Sequence, residues 1–287
     1  MTEGWDVTEA LLDSDVQSGP TLLDVVQRGV RIFDLGRPYE KGMPQSPNHP
    51  AYTHSLSRRH GDTVRTDGGS AANDLIVLGT HVGTHIDALA HVSQDGKLHG
   101  GLDAVTEQVG GRFMTGGIQD VAPMVCRGVL LDVPAALGIE ACPPAYEISV
   151  ADLEKAVGTQ RTPVAAGDVV LIRSGWGQRW DDREAYIGGE SGVPGVGTAG
   201  AQWLAARGVR AVGADTIAFE HLPANAGHAR LPAHRILLVE HGINIIETLS
   251  LEELAASGIR EFVFILSPLH FVGATGSPVR PLAVVGA

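Results

Sequence analysis

Six short aliphatic and β-branched runs set the frame within which this chain folds: "VRIFDL" (30–35), "DLIVLG" (74–79), "GVLLDV" (128–133), "DVVLIRS" (168–174), "VRAVGA" (209–214) and "EFVFIL" (261–266). Each is strand-sized, and the chain's 37 glycines supply the turn punctuation between such runs. Several of the runs are too apolar to leave one face in water. They predict an inner sheet covered on both sides. Helical patterns lie between them. "SVADLEKAV" begins with Ser149 and carries Asp152 three residues on, and "SLEELAAS" places Ser250 and Glu253 in the positions of a capping box. "TAGAQWLAARG" is alanine-rich and stops on Gly208. The expected class is α/β, a mixed sheet with helices packed on it.

At 287 residues the chain is long enough to bury a substantial core without a metal or a disulfide to hold it. We expect an N-terminal arm over residues 1–25, wrapping a neighbour, and a single domain over 26–287. The net charge of −12 and the scattered basic residues exclude the positive stripe that nucleic acid requires. The longest apolar runs are far too short to span a membrane. "MTEGWDVTEALLDSD" lacks the basic start and apolar centre of a signal peptide, so the expected location is cytoplasmic. Cys126 and Cys142 form no Cys-x-x-Cys pair and are expected to be reduced and structural.

The chemistry gathers in "GTHVGTHIDALAHV", residues 79–92. On a helix His81 and His85 would share a face, but Asp87 would point nearly the opposite way. On a strand, His81, Gly83, His85, Asp87 and His91 share parity, and Gly83 leaves room for both imidazoles to lean toward one point. Two neutral imidazoles and a carboxylate are ligands for zinc, manganese or iron. Burying these groups without a cation would leave many polar atoms unsatisfied. His91 fits either a further ligand or a base beside the metal.

A second segment, "HRILLVEHGINIIETLSL" from His234 to Leu251, offers His234 and Glu247. Ile243, Ile245 and Glu247 share parity, which sets a carboxylate at the end of an apolar strand face. Glu240 and His241 read as solvated. His99, His221 and His228 lie in loop-like sequence and are weaker pocket candidates, with His49, His54, His60 and His270 weaker still. Trp176, Trp180 and Phe219 are candidates to wall a pocket. The stretch "GGESGVPGVG" (188–197) reads as a loop near a site.

His81-Val-Gly-Thr-His85-Ile-Asp87 followed by His91 resembles the His-x-Gly-Thr-His-x-Asp-x-x-x-His signature of the cyclase family of metal-dependent hydrolases, which includes kynurenine formamidase and isatin hydrolase. Further likeness runs through "FDLGRPYEKGMPQSPNHP", "VVLIRSGW", "VGADT", "HRILL…IIETLSL" and "GATGSPVRPLA". The resemblance implies a swivelling β/β/α fold in a homodimer or homotetramer. It implies metal ligation by His81, His85 and Asp87, with His234 and Glu247 serving the same or a second ion, and a proton-transfer role for His91. Leu89 stands where the formamidases usually have proline, and Ser46-Pro47 where they have Trp-Pro, which argues against formylkynurenine as substrate.

The expected activity is therefore hydrolysis of a C–N bond (amide or cyclic amide) or a C–O bond (lactone) in a small carbonyl substrate, assisted by one or two ions of zinc or, alternatively, manganese. No Gly-x-Ser-x-Gly elbow supports a serine route. The rival readings are a metal-dependent lyase or ring-closing enzyme, and a non-catalytic metal or ligand-binding protein. The presence of His91 favours an enzyme.

Overall fold

The computed structural model describes residues 21–286. Nine strands join in one mixed sheet, in the order Val30–Asp34, Leu282–Gly286, Glu261–Leu266, Met124–Asp132, Val169–Arg173, Ala211–Ala214, Asn244–Glu247, His85–Asp87, Gly276–Pro278. The four strands from Met124–Asp132 to Asn244–Glu247 run parallel. Antiparallel strands complete both flanks.

Alternation along the parallel strands divides the core. Val129, Leu131, Val170, Ile172, Val212 and Ile245 enter one buried cluster, joined by Leu153, Ala156, Ala201 and Leu204 from helices. Leu130, Val169, Leu171, Ala211 and Ile246 enter the other, with Phe33, Ile86, Phe262 and Phe264. Both faces are covered, as the apolar runs predict. Each buried Val, Leu, Ile or Phe among them contributes about 1.5–3 kcal/mol relative to an exposed one.

Helix boundaries follow local chemistry at two of the three places the sequence marks. Ser149 caps Val150–Gln160, and Asp152 returns a carboxylate to the Ser149 amide, forming the expected box. The helix Thr198–Ala206 gives way to Gly208, whose φ of +65° suits glycine. The box expected at Ser250 and Glu253 does not form. The Ser250 amide is taken by the Leu35 carbonyl, so the helix Glu252–Ala256 begins after Leu251 without a side-chain cap.

The run at 74–79 is also corrected. Its strand, Asn73–Val77, pairs only with Thr53–Arg58 in a separate two-stranded hairpin, outside the inner sheet. Leu75, Ile76 and Val77 are each more than half exposed, because nothing among the described residues covers the hairpin. Of the expected arm, residues 1–20 lie outside the described residues, and Leu22–Gln27 is a short helix with a capping box from Thr21 and Asp24. No described helix is long and apolar enough to cross a membrane.

The fold places its chemistry beyond the carboxyl ends of the parallel strands, where open α/β sheets bind ligands. Buried Asp215, one residue past Ala211–Ala214, accepts hydrogen bonds from the Ser174 amide and hydroxyl and from the Gly175 amide. The loops that leave two neighbouring strands are thereby tied together.

Candidate metal centre

His85 and Asp87 stand on a three-residue strand wedged between Asn244–Glu247 and Gly276–Pro278. Ile86 points into the core between them, so both polar side chains take the opposite face. The register pairs Glu247 with His85, bringing Glu247 Oε2 within 3.4 Å of His85 Nε2. Asn244 donates its side-chain amide to the Asp87 carbonyl at 2.8 Å, pinning the two strands at the site.

His81 reaches the same point by a turn, which corrects the single extended segment expected over 81–91. The strand covers only His85–Asp87, and Gly83 has φ +62°. A Cβ on Gly83 would lie 2.6 Å from the Tyr39 ring. The glycine thus serves the turn and the Tyr39 packing, rather than making space between imidazoles. Its carbonyl accepts from His85 Nδ1 at 2.8 Å. A second turn, closed by the His91 amide on the Ala88 carbonyl, folds His91 back onto His81. The two rings stack with centroids 3.7 Å apart.

His234 comes from the short helix Pro232–His234, which continues into a π-helical turn over Arg235–Glu240, a form frequent at functional sites. Its Nε2 lies 3.2 Å from Glu247 Oε1 and 3.6 Å from Asp87 Oδ2. Its Nδ1 donates to Glu220 Oε1 at 2.7 Å, and the Ala233 and His234 amides also donate to Glu220.

Each of three histidines therefore ties one ring nitrogen to protein and aims the other at a carboxylate. His85 is held by the Gly83 carbonyl, His234 by Glu220, and His81 by the Thr275 hydroxyl at 2.9 Å from Nε2. Such outer partners fix the tautomer of metal-ligating histidines. His81 Nδ1 meets Asp87 Oδ1 at 2.7 Å. Asp87 Oδ2 and Glu247 Oε1 are buried without a hydrogen bond. Lone pairs converging from five buried or nearly buried side chains require positive charge among them. The donor set, imidazole with carboxylate, fits a divalent ion such as zinc or manganese. Two groups have donor atoms close enough to share an ion: His81, His85 and Asp87, and Asp87, His91 and His234.

Burial disfavours the charged forms, but the partners prevail. Asp87 is held well below the usual carboxylate range by His91, His81 and His85, and Glu247 is lowered by His234 and His85. His85 is raised, against its burial, by Glu247 and Asp87; His234 is raised by Glu220, Glu247 and Asp87. For His91 burial dominates and pushes its pKa down to about 3, despite the neighbouring Asp87. His91 is neutral at physiological pH.

All six residues singled out in the sequence, His81, His85, Asp87, His91, His234 and Glu247, come together. Sequence reasoning missed Glu220 and Thr275 and ranked His49 too low. Glu220 follows a bend over residues 215–219 in which Phe219 has φ +56°, so no strand periodicity in the sequence points to it. His49 lies with its ring centroid 5.5 Å from that of His81. Trp176, Trp180 and Phe219 do not wall a pocket. They are buried in the core, where Trp176 Nε1 donates to the Tyr186 carbonyl and Trp180 packs edge-on against Tyr186. His99 and His221 bond backbone carbonyls of Val239 and Ala145. Exposed Glu240 pairs with Arg235, and His241 is exposed, as expected.

The family model named Cyclase matches residues 33–221. Isatin hydrolase of Roseibium aggregatum is 26% identical over 223 residues, covering 77% of each chain. Kynurenine formamidase of Geobacillus thermodenitrificans is 28% identical over 216 residues, covering 75% of this chain and 81% of its own. A solved structure described as a novel cyclase superposes with a TM-score of 0.80 at 28% identity, covering 92% of this chain and 93% of the other. With the matched segment spanning about two thirds of the chain and the fold superposing on the novel cyclase over nearly its whole length, the chain belongs to the cyclase family.

Proposed function

We propose that this protein is a metal-dependent hydrolase that opens a C–N bond of an amide or cyclic amide, or the C–O bond of a lactone, in a small carbonyl compound. The observation that carries the reading is the convergence of His81, His85, His234, Asp87 and Glu247, with one oxygen of each carboxylate left without a hydrogen bond. Zinc is the preferred ion and manganese the alternative. Asp87 turns Oδ1 toward His81 and His85 and Oδ2 toward His234, so it belongs to both groups of donors that would hold an ion.

When bound, a divalent ion supplies Lewis acidity that polarises a carbonyl and makes water acidic near neutral pH. His91 has no side-chain hydrogen bond among the described residues, is neutral, and lies against His81. It accepts the proton of attacking water and returns it to the leaving nitrogen or oxygen. Thr275, Glu220 and the Gly83 carbonyl hold the three imidazoles in place during this exchange. The test is elemental analysis of the purified protein, followed by assays of lactones, cyclic amides and N-formyl amines with and without chelator. Incorporation of oxygen-18 from water into product is expected. Turnover without it would instead indicate a lyase or ring-closing enzyme. We further propose a cytoplasmic enzyme that works as a homodimer or homotetramer, with a small molecule as its only substrate.

A further inference from the structure

Thr248, the residue after Glu247, is β-branched yet has a left-handed backbone with φ +59°. Such a conformation persists only where its surroundings over-determine it. Here the residue is tied at both ends. Its amide donates to the Thr216 carbonyl at 2.9 Å, and its carbonyl accepts from the Thr84 hydroxyl at 2.7 Å. Thr84 immediately precedes His85, so one side chain links the entry to the strand His85–Asp87 with the exit from the strand Asn244–Glu247.

Thr84 is fully buried and is itself held by other segments. The Arg37 amide donates to its hydroxyl oxygen at 2.8 Å. Its carbonyl accepts from the Tyr39 hydroxyl and, at 3.0 Å, from the Val279 amide. A hydroxyl carries one proton, and with the Arg37 amide bonded to the oxygen that proton is left for the Thr248 carbonyl. Tyr39 also packs its ring against Gly83, whose carbonyl holds His85 Nδ1. Valine in place of Thr84 would fill nearly the same space and leave the Arg37 amide and the Thr248 carbonyl without these bonds in the interior, whereas serine would keep both.

We propose that Thr84 is a positioning residue for Glu247: its hydroxyl fixes the twisted Thr248 peptide and so sets the Glu247 carboxylate 3.4 Å from His85 and 3.2 Å from His234. The inference rests on Glu247 serving the ion of the metal reading; the bond hydrolysed does not enter it. The test is competition for zinc between a chelator and the wild type, Thr84→Val, Thr84→Ser, Glu247→Gln and the double variant Thr84→Val/Glu247→Gln. Thr84→Val is expected to weaken zinc binding by about 10–100-fold, and Thr84→Ser to stay within about threefold of wild type. The double variant is expected to bind within about twofold of Glu247→Gln alone, because the two side chains act on one contact. Should Thr84→Val fail to fold, Thr84→Ala goes through the same cycle. Full affinity in Thr84→Val, an equal loss in Thr84→Ser, or penalties that multiply in the double variant would overturn the inference alone. Full affinity in Glu247→Gln would overturn the ligand reading of Glu247 and the inference with it. A protein that shows the expected pattern yet hydrolyses no amide or lactone supports the inference and sinks the hydrolase reading.

Discussion

His81 Nδ1 and Asp87 Oδ1 lie 2.7 Å apart, while the other oxygen of Asp87 turns toward His234 with no hydrogen bond of its own. One carboxylate thus serves two groups of imidazoles. Asp87→Asn removes its charge from both. Metal content measured by mass spectrometry should drop by at least half, and kcat/KM by about a hundredfold or more, with the fold retained because Ile86 and Ala88 keep their packing.

His91 makes its contribution without holding the protein together. His91→Gln should retain the wild-type metal content and melting temperature while kcat falls by about 10²–10⁴-fold, the usual worth of a positioned proton carrier. Steady-state kinetics beside elemental analysis checks it. A loss of metal equal to the loss of rate would make His91 a ligand instead.

Glu220 acts through His234. Three donors, the His234 ring and the Ala233 and His234 amides, converge on its carboxylate. Glu220→Gln keeps the shape but not the charge, and should weaken metal binding by about 10–100-fold in competition with a chelator.

Protons and metal should compete. His85 and His234 are held above the ordinary histidine value by the carboxylates they face. Their protons stabilise the metal-free fold below that ordinary value, and this contribution is lost as pH rises through the raised folded values. An entering ion takes over the same role and expels the protons. Titrating metal into stripped protein in two buffers of different ionisation enthalpy should therefore show proton release. The melting temperature of the stripped protein should fall as pH rises through this window, while that of the loaded protein holds.

The hairpin of Thr53–Arg58 and Asn73–Val77 exposes Leu56 and Ile76 on one face and Leu75 and Val77 on the other, apolar side chains that a partner would cover. A second copy of the chain is the partner we expect there. Ile76→Lys should shift light-scattering mass toward the monomer with little change in metal content. An unchanged mass would place the self-association elsewhere.

Strand parity read from sequence placed the cluster's side chains wherever the backbone is extended: His85 with Asp87, and Glu247 at the end of the strand face that carries Ile245. It failed at His81 and His91, which arrive by local turns marked by Gly83's positive φ and by the His91 amide on the Ala88 carbonyl, where a strand period no longer applies. The inner strands were legible because they are apolar on both faces. The hairpin was misplaced for the same reason, since Leu75, Ile76 and Val77 look buried until the chain's own coverage is known. Glu220, Thr275 and His49 come from three distant segments, and only folding brings them to one point.

Phe219 and Thr248 adopt left-handed backbone, with φ of +56° and +59°. Neither a bulky aromatic nor a β-branched residue rests comfortably there. One sits immediately before Glu220 and the other immediately after Glu247, so each acidic side chain is aimed by an unfavourable twist of its neighbour. Glycine would relieve the twist at either position, yet at Phe219 it would also empty a fully buried site at a cost of about 3–5 kcal/mol, so the tension that points the acid is locked in by the bulk of the residue that bears it.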